Sequence, residues 1–374
     1  MIPYSRQSIN DDDINEVIKV LKSDLITQGP IVQKFAKTIC TYTSSNYSVL
    51  TNSATSALHI ACLSLGLGKG DILWTSPNSY VASANVGLLC NAEIDFVDID
   101  PFNYNICIHA LSDKLKNAEK YGKLPKIVMP VHFAGQSCDM KAIKKLSKKY
   151  GFNIIEDASH AIGGSYNGTK IGSCRFSDIT VFSFHPVKII TTAEGGIVTT
   201  NSNKIYKKLK ILRSLGIKRN INKHWIYDIE GYGLNFRLND IQCALGVSQL
   251  KKIKLFISKR KKLYNIYKNN LGEIKGLSFP DYSKNNLSAY HLCLMSIDKK
   301  DFKIKEKFIK YILKKKIIVQ YHYIPIYKFK IFSDKYLSSG AEKYFKSVVS
   351  LPIFYGLSFK KQNQIINFIN NFFK

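Results

Sequence analysis

The sequence predicts an α/β protein: a large domain built on a mostly parallel sheet, followed by a smaller α+β unit. Three observations lead there. Short hydrophobic runs of strand length alternate with helical patterns over about 200 residues, as in doubly covered sheets. A chain of 374 residues exceeds the size at which one core stops growing. Beyond residue 250 the alternation fades, so the large domain is assigned to 1–250 and the small one to 251–374.

The elements follow in order. A helix is expected over 11–22, and "LITQGPIVQKFAKTICTYT" reads as a Gly-Pro turn entering an amphipathic helix. "YSVLTNS" is a β-rich run leading into the helix "ATSALHIACLSLGL". "DILWTSPNSY" and "ASANVGLLCN" repeat strand then helix, and "EIDFVDID" is a further strand. "KIVMPVHF" precedes a helix over 139–150, and "FNIIEDAS", "DITVFSF" and "GGIVTTN" complete the strands. The basic stretches 207–219 and 313–317 read as solvated helix faces, and 248–270 as one long basic helix. "AYHLCLMSI", "IIVQYHYIP" and a terminal helix from residue 360 make up the small domain.

Composition removes several function classes. No apolar run approaches a membrane span, and "MIPYSRQSINDDD" has no targeting pattern, which makes a cytoplasmic protein without a membrane partner the expectation. The formal charge of +28 invites a polyanion. The lysines are, however, spread through the chain with Asn, Ile and Tyr, which reads as whole-chain composition, so no nucleic-acid partner is expected. Eight cysteines show no CxxC pair and no clustering with histidine, and no metal is expected.

Candidate functional residues gather at strand ends, where such sheets collect ligands. "TNSATSALH" puts Ser53, Thr55 and Ser56 at a helix N-terminus, which suits either an ordinary cap or a phosphate. "IIEDASHAIGG" ends a strand with Glu156 and Asp157, with His160 three residues on. Such a carboxylate caps a loop or partners a protonated pyridine nitrogen. In "VFSFHPVKIITTAEGG", Ser183 ends a strand and Lys188 follows, either as a solvated loop lysine or as a desolvated amine able to form a Schiff base. Add Tyr80 at a third strand end, and the set meets the needs of pyridoxal phosphate: an anion site, a negative ring partner, a stacking face and a covalent anchor.

Over essentially its whole length the chain resembles the DegT/StrS family of fold-type I, pyridoxal phosphate-dependent sugar aminotransferases. The resemblance is carried by "ITQGP", "TNSATSAL", "HFAGQSCDM", "EDASHAIGG", "FSFHPVKIITTAEGGIV" and "GLNFRLNDIQCALGVSQL". It implies a seven-stranded, mostly parallel sheet, with Lys188 anchoring the cofactor, Asp157 facing the ring nitrogen, His160 close to the same ring and Tyr80 stacking on it. Phosphate contacts fall on Thr55, Ser56 and Ser183, with Asn235 crossing from the second subunit of a homodimer. "PYSRQSI" and "VQYHYIPIY" look most like members that use glutamate to aminate C4 of a UDP-4-keto-6-deoxy-N-acetylhexosamine on the way to pseudaminic acid. Relatives handling other 4-keto or 3-keto nucleotide sugars share the core motifs. In that likeness Tyr4, the segment Asp24, Leu25, Ile26 and Thr27, and the segment His322, Tyr323, Ile324 and Pro325 line the sugar-nucleotide site. The alternative for His322 is a packed interface histidine. One family branch replaces the anchoring lysine by histidine and dehydrates its sugar, and Lys188 sets this chain apart from it. A non-catalytic cofactor-binding regulator is the rival reading.

Overall fold

The computed structural model describes residues 1–373 except 221, 223, 224, 281, 283–285, 298–301 and 333–338. Helices α1 (Asp11–Leu21) and α2 (Pro30–Thr43) precede the first strand. Asn10 and Asp13 cap α1 reciprocally. The start of α2 is capped from far along the chain: Asp240 accepts from the backbone N–H groups of Gly29 at 2.8 Å, Ile31 at 2.9 Å and Val32 at 3.3 Å. Those amides have no partner within the helix, and a buried carboxylate satisfies them.

Then follow β1 (Tyr47–Thr51), α3 (Ala54–Ser64), β2 (Ile72–Thr75), α4 (Ala82–Leu89), β3 (Glu93–Phe96), α5 (Ile108–Lys120), β4 (Ile127–Met129), α6 (Met140–Tyr150) and β5 (Asn153–Asp157). After the small hairpin β6 (Ser165–Tyr166) and β7 (Thr169–Lys170) come β8 (Ile179–Ser183), β9 (Gly196–Thr200) and α7 (Asn203–Leu212). The seven-stranded sheet has the order β1-β9-β8-β5-β4-β2-β3. It is parallel except at β9, which runs antiparallel to both β1 and β8. Alternate residues face opposite layers: Leu73, Ile127 and Ile155 pack with α3 and α4, whereas Trp74, Val128 and Ile154 pack with α5 and α6.

Next come the hairpin β10 (Ile217–Arg219) and β11 (Tyr227–Ile229), then α8 (Asp240–Lys251) and α9 (Ile253–Leu271). The remaining elements are β12 (Leu277–Ser278), β13 (Cys293–Ile297), α10 (Phe302–Lys314), α11 (Ser339–Ser347), β14 (Val348–Leu351) and α12 (Phe359–Phe373). Strands β12, β13 and β14 form an antiparallel sheet. The sequence position 250/251 falls in the last turn of α8, and one apolar cluster joins Phe35 and Phe182 to Cys293, Val349 and Ile369.

Three expectations need correction. The stretch 207–219 is not one helix face: α7 stops at Leu212, and Gly216, at φ +73, admits the turn into β10. The long basic helix is two helices, broken at Lys252. The stretch 313–317 is not one helix face either: α10 stops at Lys314, and the chain turns into an isolated bridge between Ile317 and Ile2. The N-terminus is held by that Ile2–Ile317 bridge and by Tyr4 O, which accepts from Ile353 N at 2.9 Å.

Candidate active site

Four chain segments reach the same edge of the large sheet. Thr51 ends β1, Asp157 ends β5 and Ser183 ends β8, while β9 begins there because it runs the other way. Gly196 pairs with both Thr51 and Ser183. A Cβ on it would lie 2.5 Å from Ser53 O and 2.6 Å from Ala54 N, so the second glycine of "EGG" lets the strand pass against the start of α3. Ser53 caps that helix, its Oγ accepting from Ser56 N at 3.1 Å.

These ends open into a cavity of about 750 Å³. Of the residues expected from sequence, it is lined by Tyr4, Ser53, Thr55, Tyr80, Asp157, His160, Ser183, Lys188, His322, Tyr323 and Ile324. Ser56 stays out of the lining: its buried hydroxyl donates to Asn52 Oδ1 at 2.7 Å. Pro325 and the exposed segment 24–27 do not line it either, and Leu25 borders a separate hollow between α1 and α8. Asn235 is exposed in the loop before α8, bridged to Ser214, and outside this cavity.

Asp157 is buried, and each of its oxygens accepts one hydrogen bond. Ser83 Oγ donates to its Oδ2 at 2.7 Å, and Ser159 N to its Oδ1 at 3.1 Å. Ser79 Oγ lies 2.8 Å from Ser83 Oγ and extends the chain. On the same strand Glu156 meets the buried His132, with 2.5 Å between Oε2 and Nε2. Burial opposes charge on His132, but hydrogen bonds with Cys138 and Glu156 outweigh it and raise its pKa to about 10. The hydroxyls of Ser177 and Thr180 donate to the other oxygen of Glu156.

Lys188 is half-buried in the connection from β8 to β9. Burial lowers its pKa to about 8, against the opposing pull of Asp157. Its neighbours are kept neutral: burial, then the nearby Lys188, lowers His160 well below the ordinary range and His322 to about 3. Tyr323 closes one side, its hydroxyl 3.2 Å from His160 Nε2 and its ring 6.0 Å from that of Tyr80. His322 is fixed by Ser350 Oγ at 2.8 Å and stands 5.1 Å, ring to ring, from Tyr4.

The residues fit a phosphorylated pyridine aldehyde. Among the described residues the buried His160 Nδ1 has no partner, which leaves a polar atom for a ligand to satisfy. The first amides of α3 and the hydroxyls of Ser53, Thr55 and Ser183 suit a phosphate. Asp157 suits a ring cation, and Lys188 is an amine poised to react with an aldehyde.

Sequence reasoning missed several residues around this site. Ser83, four residues after Ser79 in "SYVAS", has the helical spacing that signals a shared face. His291, with its ring 4.3 Å from that of His160, left only the signal of a histidine at a strand entrance. Arg260 is buried on α9 and donates to the carbonyls of His291 at 3.1 Å and Ile353 at 2.9 Å, and no local pattern pointed to it.

Among the described residues, no group of His, Cys, Asp or Glu is placed to hold a metal ion, and no helix is long and apolar enough to cross a membrane. Comparison with known proteins gives a consistent answer. A sequence model of the DegT/DnrJ/EryC1/StrS aminotransferase family matches residues 7–370. The chain is 37% identical over 360 residues to the UDP-4-amino-4,6-dideoxy-N-acetyl-beta-L-altrosamine transaminase of Campylobacter jejuni, covering 94% of this chain and 92% of that one. It is 31% identical over 386 residues to the spore coat polysaccharide biosynthesis protein SpsC of Bacillus subtilis, covering 100% and 97%. Among solved structures, Helicobacter pylori PseC, an aminotransferase involved in the biosynthesis of pseudoaminic acid, superposes with a TM-score of 0.93 at 31% identity, over 100% of this chain and 99% of that one.

Proposed function

The chain belongs to the DegT/DnrJ/EryC1/StrS aminotransferase family, and from that premise we propose that it is a pyridoxal 5′-phosphate-dependent transaminase acting on a nucleotide sugar. The amino group moves from glutamate to C4 of a UDP-4-keto-6-deoxy-N-acetylhexosamine, a step toward pseudaminic acid. One observation carries the reading: a single cavity unites the amine of Lys188, the carboxylate of Asp157 and the N-terminus of α3. The altrosamine transaminase and its structural counterpart support the choice of sugar.

When bound, the cofactor supplies an electron sink for the carbon that loses or gains a proton. The protein does the rest. Lys188 Nζ would be the covalent anchor for the cofactor aldehyde, and as a free amine it would take a proton in its neutral form and return one in its protonated form. Asp157, held by Ser83 and Ser159, presents a fixed negative charge to a protonated ring nitrogen. Thr55, Ser183 and the amides of α3 would hold the phosphate, while Tyr80 would offer a ring face. Tyr4, His322 and Tyr323 form the wall on the sugar side. The exposed Asn235 reaches the phosphate site of a second subunit, which makes the homodimer the active unit.

The test is to incubate the protein with glutamate and a panel of UDP- and dTDP-linked 4-keto sugars and identify the amine by NMR. Amination of a dTDP-linked sugar in place of the UDP-linked one, or of a 3-keto sugar added to the panel, would displace the substrate and leave the chemistry. In parallel, Lys188→Ala should lose all turnover and all borohydride-fixed cofactor; cofactor fixed at another lysine would overturn the central assignment.

A further inference from the structure

A second cavity, of about 650 Å³, lies along the edge strand β1, between α2 on one side and α7 with the loop before α8 on the other. Its charged lining is wholly cationic: Lys37 from α2, Lys210 from α7, Arg213 just beyond α7, and Arg237 from the loop. No Asp or Glu lines it. Asp240, which follows that loop, is engaged by the amides at the start of α2.

Among the described residues, no carboxylate lines the hollow beside these four cations. The buried Arg213 Nε has no hydrogen-bond partner among the described residues, and burial and then the neighbouring Arg237 hold its pKa below the ordinary range. Gathering like charges around one hollow is costly unless an anion fills it. Two lining aromatics, Tyr47 and Tyr206, are stacked at 4.8 Å and 18°, with Lys210 Nζ 5.4 Å from the centre of the Tyr206 ring. Cations beside an aromatic pair suit phosphates joined to a planar base.

We propose that this cavity is a second anion site, separate from the catalytic one, which binds a small molecule carrying a diphosphate. Its wall is tied to the catalytic side by backbone: Phe236 N donates to Arg213 O at 3.0 Å, and Phe236 O accepts from Asn52 N at 2.8 Å. Asn52 immediately precedes Ser53, the cap of α3, so the two anion sites lie on either side of one strand-to-helix turn. The inference does not depend on the identity of the sugar or on transamination.

The experiment is calorimetric titration of the cofactor-loaded protein with inorganic pyrophosphate and, separately, with UDP at low salt. Wild-type protein should bind pyrophosphate with an affinity that falls as salt is added. Lys37→Gln with Lys210→Gln, both exposed positions, should weaken it by about tenfold or more. Thr55→Ala, altered only at the catalytic cavity, should keep the wild-type affinity for this site. Because UDP also suits the catalytic cavity, only the UDP binding that the lysine variant loses is assigned to this site. If that part is tighter than pyrophosphate binding, it supports a nucleotide held partly through the tyrosines, and equal affinity supports recognition of the diphosphate alone. Absence of binding by the wild type, unchanged affinity in the lysine variant, or loss confined to Thr55→Ala would each overturn the proposal. Unfolding midpoints of all three proteins are recorded alongside, and Arg213→Lys provides a second, charge-preserving variant with an intermediate expected loss.

Discussion

Ser83 Oγ donates to Asp157 Oδ2 across 2.7 Å, joining the first turns of α4 to the end of β5. A hydrogen bond to a charged group contributes about 1.5–3 kcal/mol. Ser83→Ala should therefore lower kcat by roughly tenfold or more while leaving cofactor bound. Asp157→Asn should cost much more, because a neutral amide cannot keep a ring nitrogen protonated. Near-normal kcat in Asp157→Asn would show that another acid serves.

A second prediction concerns pH. Burial brings the Lys188 amine to about 8 from an ordinary 10.5. An amine reacts in its neutral form, so at about pH 7.5 roughly a quarter of it is competent, against roughly a thousandth for an ordinary lysine. Capture of pyridoxal phosphate by cofactor-free protein should accelerate as pH rises toward 8 and level off above it. Stopped-flow absorbance would measure this, and a rate still climbing at pH 10 would contradict the lowered value.

The third concerns stability. Asp240 satisfies three amides at the start of α2, and none of them has a replacement partner within the helix. Asp240→Ala should destabilise the fold by about 1–3 kcal/mol, read as a lower midpoint in thermal or urea unfolding. An unchanged midpoint would mean that water caps the helix equally well.

How much of this was legible beforehand depends on where each partner lies in the chain. Strand ends such as Asp157 and Ser183 could be read because a buried strand and the helix after it are both local patterns. Lys188 could be read because it follows the strand end at Ser183 within the same short motif. Ser83, by contrast, matters because it meets an acid 74 residues away, and Asp240 because it meets amides more than 200 residues away. The strand β9 was visible as "GGIVTT", but its antiparallel direction is decided by its neighbours. Arg260 was lost for the same reason: its acceptors come from other segments, and a basic helix looks solvated until something covers it.

The fourth prediction tests assembly. If Asn235 serves the phosphate site of a second subunit, Lys188→Ala and Asn235→Ala proteins are each weakened for different reasons, and a mixed dimer regains one intact site. Mixing them under conditions of subunit exchange should restore part of the activity, about a quarter of wild type for random pairing of two fully inactive variants. Full activity in a monomer at high dilution, or no recovery after demonstrated exchange, would refute the shared site.

Because β9 runs against its neighbours, the chain leaves the ligand edge at Ser183 and returns to it at Gly196, with Lys188 on the closed span between. That span is pinned further by Ser5 Oγ to Val187 O at 3.0 Å and by Gln242 Nε2 to Glu194 O at 2.7 Å. A reactive amine on such a span behaves like a reagent on a short leash. One amine confined to about 750 Å³ is present at about 2 M, about a thousandfold above a millimolar amine arriving from solution. An insertion of flexible residues on either side of Lys188 would dilute that advantage without touching a single catalytic atom.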